Sequence, residues 1–417
     1  MDLLLHLHSL LARLGQVTVF PALEQRATLP VWYLPCFVFV VLLSIAAPRG
    51  LLRTAFSLPV VAFMAWKYGQ YTFGASFPDR YPWACFFITV LFKYVDFVLL
   101  GNADREKIRP KFGSPATGIG SPPPPLSTFP RTFRQRFLWA FKLVMVYHRG
   151  VGWTHEVKGV PPHSKPYSRW NFVAQQISLA CLTTLIIKAG KAYVSSSRFG
   201  NSDPLARSYF FSEPLWYQLS MSFCTLCLIC APFILLASTA YFVGVTLGIW
   251  RPEDCPPIWG SWSDSYTVRK LWGTVWHQCL RRITNTSGSF VAKDVLRLKK
   301  GTFASKYTQL FVGFFASAII HCGGAIYTCG HDTGDMKYFM AQPVAIVIED
   351  HVIEAGRRLG FKERPVWKRI GYVWTAAWLL YSMRWNCGPQ LEEGYALFPK
   401  TGDLLGFFNI QSGQATA

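Results

Sequence analysis

Charged side chains are scarce in this chain of 417 residues: Asp, Glu, Lys and Arg make up only 15% of it, whereas hydrophobic residues make up 51%. Acidic residues are the scarcest, with 22 Asp and Glu against 42 Lys and Arg. This composition excludes an ordinary soluble enzyme and indicates a protein that crosses a membrane several times. The net charge of +20 does not predict nucleic-acid binding, because no aromatic and basic recognition motif accompanies it.

The sequence also lacks the common signatures of nucleotide-binding and metal enzymes. It has no internal repeat, no Gly-rich phosphate loop and no dinucleotide fingerprint. Three of the eleven cysteines, Cys224, Cys227 and Cys230, recur at every third position of an apolar run without a His or acidic neighbour. We therefore expect buried free thiols, no metal site and no bound cofactor.

Long apolar segments predict the fold. They cover residues 31–47, 51–66, 82–100, 171–189, 214–250, 303–322, 338–353 and 371–386. Several are shorter than the ~20 residues that a perpendicular membrane helix needs. We predict an all-α, polytopic integral membrane protein with about eight transmembrane helices, in which residues 1–417 form a single membrane-embedded domain.

Stretches rich in Lys and Arg between these segments predict the orientation. They are Arg49 with Arg53, 105–169, 251–300 and 357–369. Basic loops of this kind face the cytoplasm. The stretches before and after residues 171–250 can both be cytoplasmic only if 171–250 crosses the membrane an even number of times. We therefore predict one long or kinked helix at 214–250, with Pro232 near its centre, and a luminal N-terminus.

Residues 101–136 form a Pro-rich, basic loop that we place in the cytoplasm. Its four consecutive prolines, 122–125, cannot continue a helix and favour an extended spacer, with a ligand for a proline-recognition domain as the alternative. The next stretch, 133–147, mixes basic and apolar residues. That mixture is typical of a helix lying at the membrane interface.

His321 ends the apolar run 310–321, where a titratable ring is costly. Ionisable residues in membrane segments usually face a polar cavity or pathway, so His321 is a functional candidate by default. The preceding basic loop carries a second polar and aromatic cluster around Trp272, Trp276 and His277. The i, i+4 spacing of the two tryptophans predicts one shared helix face.

These two stretches resemble the motifs of the membrane-bound O-acyltransferase superfamily. The closer resemblance is to its wax-synthase-like branch, which includes fungal acetyltransferases of terpenoids and meroterpenoids, and it covers mainly residues 260–385. The matching residues are Trp272, Gly273, Trp276, His277, Gln278 and Arg281 in the first motif and Ser317 and His321 in the second. Leu271 stands where an aromatic residue is usual, and Ala318 where glycine is usual.

The chemistry of these residues agrees with acyl transfer. An acyl-CoA thioester is already activated, so the enzyme must chiefly hold donor and alcohol together and remove the hydroxyl proton. We expect His321 to be the general base, with direct attack by the alcohol. Ser317 lies one turn earlier and is expected to orient the imidazole or to bond back to its own helix. His277 is the second catalytic candidate, expected to bind the donor carbonyl or support the geometry, with a structural interfacial His as the alternative.

Supporting and donor-binding roles fall to the neighbours of His277. We expect Trp272, Trp276 and Gln278 to line the site, with simple packing as the alternative for the tryptophans. The cations expected to meet the phosphates of coenzyme A are Arg269, Lys270, Arg281 and Arg282. The alternative for these four is the positive charge of any cytoplasmic loop.

Two other polar stretches, 331–335 and 349–351, are not predicted to take part in catalysis. The stretch 331–335 spells the His-x-x-x-Asp pattern of a soluble acyltransferase family, but we interpret it as a polar connection between spans. Glu349, Asp350 and His351 lie near the end of an apolar segment, and we place them at the membrane interface rather than in a reaction cavity.

The resemblance therefore implies an acyl-CoA-dependent O-acyltransferase of the endoplasmic reticulum. We expect it to transfer acetyl from acetyl-CoA, as co-substrate, to a hydroxyl of a lipophilic terpenoid or meroterpenoid in secondary metabolism. A long-chain wax-ester synthase is the alternative enzyme. A transporter of a lipophilic metabolite is the alternative from another class, although the chain lacks the repeated halves common in transporters. The expected partners are the lipid bilayer, acyl-CoA and a hydrophobic alcohol.

Overall fold

A computed structural model describes residues 20–74, 76–111, 128–160, 168–201, 203, 207–362 and 364–397 of the chain. The proline run at 122–125, with much of the predicted basic loop, lies outside these residues. The described part is mostly helical, as predicted. Its strands are β1 (Ala27–Thr28) and β2 (Tyr71–Thr72), which pair in parallel.

Ten longer helices carry the fold within the described ranges. They are α1 (Tyr33–Ala46), α2 (Leu51–Tyr68), α3 (Phe77–Tyr94), α4 (Phe133–Phe141), α5 (Arg169–Ser195), α6 (Leu215–Thr246), α7 (Arg281–Ser289), α8 (Phe303–Cys329), α9 (Asp335–Arg358) and α10 (Pro365–Glu392). Wider π-helical turns follow α3 (Val95–Leu99), α4 (Lys142–Val146) and α7 (Phe290–Val295). Two short helices, Asn102–Arg105 and Val268–Lys270, lie in the connections, and a π-helical turn, Leu271–Val275, follows the second.

Every predicted apolar segment coincides with a helix, namely α1, α2, α3, α5, α6, α8, α9 and α10. In the part of the chain that the structure describes, four helical segments are long and apolar enough to cross a membrane: Phe77–Leu99, Arg169–Ser195, Leu215–Thr246 and Phe303–Cys329. The apolar helix α1 is shorter. Since α6 is one continuous helix of 32 residues around Pro232, the prediction of a single helix at 214–250 is confirmed.

Local sequence fixes the ends of the helices that later form the site. The α3 helix begins with a capping box, in which the Asp79 carboxylate accepts the Ser76 backbone N–H at 3.1 Å. The α8 helix begins after Thr302, whose hydroxyl accepts the Ser305 N–H, and ends at Gly330 with a φ of 93°. Glycine adopts this left-handed conformation without steric cost, so the chain turns there into α9.

The α8 helix is central because it contributes to both large clusters of buried apolar side chains. One cluster joins α1, α2, α3 and α4 and includes Ile320 of α8. The other joins α5, α6, α9 and α10 and includes Ala318 of α8. His321 directly follows Ile320 and therefore lies near the boundary between the two clusters.

Two glycines bring α3 and α8 into close contact. A Cβ atom on Gly323 would lie 2.6 Å from Cδ1 of Ile88, and one on Gly324 would overlap Sγ of Cys85. Helices in membranes approach this closely where small residues replace bulky ones. The pair of glycines therefore places α3 directly against the part of α8 that follows His321.

Asp104 joins three elements of the N-terminal half. Its carboxylate accepts hydrogen bonds from Arg53 of α2 at 2.7 Å and from Arg136 of α4 at 2.8 Å. Arg136 also donates to the carbonyls of Ala46 and Ala47 at the end of α1, where a cation complements the helix dipole. This buried group of charges holds α4 on the helix bundle.

Replacing Asp104 with alanine should destabilise the protein, because two largely buried guanidinium groups would lose their anion. Removing one partner of a buried pair costs about 3–5 kcal/mol. The melting temperature of the detergent-purified protein should therefore fall clearly. The control, Glu354→Ala, removes an exposed carboxylate paired with Arg357 and Arg358 and should barely change it. Equal melting temperatures for the two variants would contradict the assignment.

Candidate active site

His321 is held between three helices. Its ring stacks on Phe339 of α9, with centroids 4.6 Å apart and planes inclined by 16°. Its Nδ1 atom lies 3.0 Å from the hydroxyl of Tyr81 on α3 and 3.9 Å from Sγ of Cys85. Within the described residues, Nε2 has no hydrogen-bond partner, and the ring remains partly exposed. One nitrogen is therefore bound by the protein and the other is available to a ligand.

A buried carboxylate lies behind Tyr81. The Tyr81 hydroxyl donates to Oδ1 of Asp335 at 2.8 Å. Asn386 of α10 donates to the same oxygen at 2.7 Å, and the Thr333 hydroxyl donates to Oδ2 at 2.8 Å. Asp335 is fully buried at the N-terminus of α9, where the helix dipole favours a negative charge. The interpretation of 331–335 as a polar connection is therefore wrong for Asp335, which belongs to the surroundings of His321.

The stretch around Trp272 forms a π-helical turn instead of the predicted α-helical face. The backbone N–H of Trp276 bonds to the carbonyl of Leu271 at 2.7 Å, which closes the wider turn. The two indole rings nevertheless lie together, with centroids 5.0 Å apart. Nε1 of Trp272 donates to Gln342 of α9 at 3.2 Å, and this bond fixes the turn on the bundle.

A wall of aromatic rings joins the two sequence motifs. The Trp272 ring contacts Trp276 at 5.0 Å on one side and Phe339 at 6.3 Å on the other. Phe339 in turn stacks on His321. The ring of His277 lies beside Trp276, at 5.6 Å between centroids. The fold thus brings His277 and His321, from separate parts of the chain, to one continuous surface.

His277 is enclosed by aromatic rings. It stacks on Phe233 of α6 at 4.8 Å and contacts Trp259 at 5.5 Å. Burial, together with the nearby His321 and Arg149, lowers the pKa of His277 to about 3. The ring is therefore neutral at physiological pH and is suited to hydrogen bonding rather than to ion pairing.

Three buried polar atoms around His277 have no partner among the described residues. They are Nε1 of Trp259, Nδ1 of His277 and Oε1 of Gln278. The amide nitrogen of Gln278 donates to the carbonyl of Trp276, so the side chain itself is held in place. Buried polar atoms without partners are costly in a folded protein. A bound molecule with a carbonyl or amide group would supply the missing partners.

Ser317 lies one turn before His321 on α8. Its hydroxyl makes no hydrogen bond to the residues that the structure describes, and Nδ1 of His321 is bound by Tyr81 instead. The predicted contact between Ser317 and the imidazole is therefore not formed, since the residue that orients the ring comes from α3. The alternative, a bond from Ser317 back to its own helix, is not formed among the described residues either, and the supporting role of Ser317 stays a prediction.

Two of the four predicted donor-binding cations are engaged in ion pairs. Arg269 forms a two-point pair with Asp350, at 2.8 and 2.6 Å. Arg282 binds Asp96 at 2.7 Å, and both side chains are largely buried. These pairs hold the basic loop on α9 and on the end of α3, so each arginine has a structural contact besides its predicted role.

The other two predicted cations, Lys270 and Arg281, have different surroundings from Arg269 and Arg282. Lys270 donates to the hydroxyl of Tyr266. The guanidinium of Arg281 has neither a hydrogen bond nor an ion pair within the described ranges, and burial together with the nearby Arg269 lowers its pKa. Of the four predicted residues, Arg281 is therefore the one most available to an anionic ligand.

Glu349 anchors the loop that carries Trp272. Its carboxylate accepts the backbone N–H groups of Val268 at 2.7 Å and Arg269 at 3.1 Å, and Nε1 of Trp374 at 3.0 Å. Only 6% of Glu349 is exposed, so its carboxylate is buried against the loop, and its predicted position at the membrane interface stays a prediction. A carboxylate at the start of a helix satisfies N–H groups that the helix leaves unpaired.

Sequence reasoning missed four residues of this site. Tyr81 directly precedes the apolar segment 82–100, far from both motifs, and carries no local signal. The sequence indicates only a connection for Asp335 and an interface for Glu349, because their partners lie far away in sequence. Trp259 lies a short distance before the first motif, and only its position beside His277 identifies it.

A family profile and several known proteins match this chain. The profile described as "Membrane bound O-acyl transferase family" matches residues 255–341. The acetyltransferase sirH of Leptosphaeria maculans is 31% identical over 394 residues, which cover 92% of this chain and 96% of that protein. No solved structure matches the chain.

Two further relatives match shorter stretches. The acetyltransferase ple2 of Rhodocybe pseudopiperita is 35% identical over 251 residues, covering 60% of this chain and 65% of that protein. The O-mevalon transferase macI of Penicillium terrestre is 29% identical over 306 residues, covering 68% and 69%. Transferases that carry different acyl groups are therefore similar to this chain.

Replacing Glu349 with alanine should loosen the loop around Trp272, because two buried backbone N–H groups would lose their acceptor at about 1–3 kcal/mol each. Limited trypsin digestion of the purified protein should then cleave after Arg269 or Lys270 at least tenfold faster, since local opening becomes more frequent. Glu354→Ala, at an exposed acid of the same helix, serves as the control. Equal cleavage rates in wild type and Glu349→Ala would exclude this anchoring role.

Proposed function

The chain belongs to the membrane bound O-acyl transferase family, and from this premise we propose that it transfers an acetyl group from acetyl-CoA to a hydroxyl of a lipophilic terpenoid or meroterpenoid. Two relatives that match it are named acetyltransferases, which supports the acetyl donor. The acceptor class follows from the resemblance to the wax-synthase-like branch. An apolar acceptor fits a site that is enclosed by helices and aromatic rings.

The meeting of the two motifs on one surface is the observation that carries this proposal. His321 comes from a long apolar helix, and His277 comes from a basic loop, yet Trp272 and Phe339 connect them. A transfer reaction needs two substrates next to a proton acceptor, and proximity of this kind supplies much of its rate. The apolar helix side suits the alcohol, and the basic loop side suits coenzyme A.

The reaction needs one proton acceptor and no covalent enzyme intermediate. Nε2 of His321 takes the proton of the acceptor hydroxyl as its oxygen attacks the thioester carbonyl. A C–O bond forms, the C–S bond breaks, and the imidazolium returns the proton to the leaving thiolate of coenzyme A. The products are the ester and free coenzyme A, and the imidazole is neutral again.

Donor binding is assigned to the His277 side of the surface. The unpartnered Nε1 of Trp259 is a donor suited to a carbonyl, and Oε1 of Gln278 is an acceptor suited to an amide N–H. The thioester and pantetheine amides of acyl-CoA carry both groups. The Arg281 guanidinium, which lacks an anion within the described part of the chain, suits a phosphate. These assignments place the polar donor at the basic loop.

The membrane arrangement is part of the proposal. Eight helices, α1 to α3, α5, α6 and α8 to α10, cross the bilayer of the endoplasmic reticulum, with the basic loops in the cytoplasm. Four of the eight have the length and apolarity expected of membrane spans. This orientation exposes the His277 loop to cytoplasmic acyl-CoA.

Replacing His321 with alanine should reduce turnover by roughly 10²–10⁴-fold, which is the usual contribution of a general base. The assay uses membranes containing the full chain, radiolabelled acetyl-CoA and a panel of sesqui-, di- and triterpenoid alcohols, with the best acceptor kept for the variants. His351→Ala, at an exposed histidine of α9, is the matched control and should retain activity. Wild-type turnover in folded His321→Ala would overturn the base assignment.

A comparison of acyl donors tests the acetyl preference against the wax-ester alternative. The tightly enclosed His277 surroundings predict that acetyl-CoA gives a kcat/KM at least tenfold above palmitoyl-CoA with the same terpenoid alcohol. A mevalonyl thioester is a useful third donor, because one relative is named an O-mevalon transferase. Preference for palmitoyl-CoA with a long-chain alcohol would instead establish the wax-ester synthase.

A further inference from the structure

We propose that Tyr81 and Asp335 are positioning residues that fix the tautomer of His321. In this arrangement Nδ1 keeps its proton and Nε2 receives the proton of the substrate hydroxyl. The inference rests on the proposed role of His321 as general base. It assigns a function to two residues outside the recognised motif positions, one on α3 and one at the start of α9.

The directions of the hydrogen bonds follow from the groups involved. Tyr81 has a single hydroxyl proton, and the carboxylate oxygen of Asp335, at 2.8 Å, only accepts. The proton of Tyr81 therefore points to Asp335, and a lone pair of the phenol oxygen faces Nδ1 of His321 at 3.0 Å. That lone pair needs an N–H, so the proton of the neutral imidazole is held on Nδ1 and Nε2 is left as the base.

Asp335 is itself fixed by its surroundings. Three donors point at its two oxygens, from Tyr81, Thr333 and Asn386, at 2.7–2.8 Å. Asp335 and Thr333 are fully buried and Asn386 is 5% exposed, so the hydrogen bonds are shielded from water. Shielding from water strengthens the hydrogen bond from Tyr81 to the Asp335 carboxylate. Through Tyr81, the carboxylate stabilises the imidazolium of His321 that forms during the reaction.

The arrangement performs the task of the acid in a Ser-His-Asp triad, with a phenol between the two groups. In those enzymes the carboxylate holds the imidazole in the correct tautomer, and its loss lowers kcat by up to about 10⁴-fold. Here the Tyr81 ring spans the gap between α9 and α8. The close contact of α3 with α8 at Gly323 and Gly324 keeps the phenol in reach of His321.

The kinetic test uses Tyr81→Phe, Asp335→Asn and the double variant in the full-length protein, with acetyl-CoA and the best terpenoid alcohol of the panel. Each single variant should lower kcat at least tenfold and leave both KM values unchanged, because neither residue touches substrate. The double variant should be no slower than Tyr81→Phe, because Asp335 acts on His321 only through Tyr81.

Tyr327→Phe is the matched control. It also removes a tyrosine hydroxyl inside the bundle, one that donates to the carbonyl of Ala65 at 2.9 Å, but it does not touch His321. Its kcat should equal that of wild type. Losses that multiply in the Tyr81→Phe/Asp335→Asn variant, or that appear in KM, would mean a structural role and overturn the proposal. Full activity of Tyr81→Phe beside an inactive His321→Ala would overturn it while sparing the general base.

A spectroscopic test does not depend on acyl transfer at all. In full-length protein labelled with ¹⁵N-histidine, the His321 signals are those that disappear in His321→Asn. Wild type should show a protonated Nδ1 and an unprotonated Nε2, and Tyr81→Phe should shift population towards the other tautomer. A wild-type His321 protonated on Nε2, or a spectrum unchanged in Tyr81→Phe, would overturn the tautomer assignment even if the enzyme has another substrate.

Discussion

The close contact between α3 and α8 is the constraint on which the geometry around His321 depends. Lipid offers helices little hydrophobic gain for associating, so they are held by packing and by hydrogen bonds between them. At Gly324 the contact is close enough that a Cβ atom would overlap Cys85. Tyr81 lies one turn before Cys85 on the same face of α3, and so this approach also brings its hydroxyl to the imidazole.

Polar groups inside the bundle fall into two kinds, those that are paired within the described residues and those that are not. Asp335 and Glu349 each accept three hydrogen bonds that come from different parts of the chain, and Asp104 accepts from two arginines. Buried charges are tolerated when they are paired in this way, and they then fix helices and loops in one arrangement. Around Trp259 and His277, by contrast, buried polar atoms lack partners within the described residues. Binding a ligand there removes a cost that the folded chain otherwise carries.

Hydropathy and motif spacing predicted the helices and the two histidines, because these signals are local. Each apolar segment gives a helix, and the parity of the basic loops correctly favoured a single helix around Pro232. The partners of His321 were not predictable in this way. Tyr81 and His321 are separated by most of the chain, and a tyrosine next to an apolar segment has no distinguishing pattern. Likewise, Asp335 resembles any acid at a helix start until α10 and α3 supply its donors.

The backbone around Trp272 departs from an α-helix for a related reason. An i, i+4 spacing predicts a shared helix face only if the backbone keeps its α-helical pitch, and here the backbone widens into a π-helical turn. The side chains of Trp272 and Trp276 still meet, and contacts with α9 hold the start of the turn. Glu349 binds the backbone before the turn, and Gln342 binds Trp272 within it. Tertiary contacts thus replaced local propensity as the determinant of the motif.

Acyl transfer between coenzyme A and a terpenoid joins reactants from two phases. Coenzyme A carries several negative charges and stays in water, whereas the alcohol partitions into lipid. A site deep in the bundle would exclude the donor, and a site on a loop would exclude the acceptor. The aromatic wall from His277 to His321 runs from a basic loop to the apolar helix α8, which suits both reactants of the proposed reaction. A neutral imidazole also suits this apolar position. A permanently charged group there would need a partner of opposite charge even before a substrate binds.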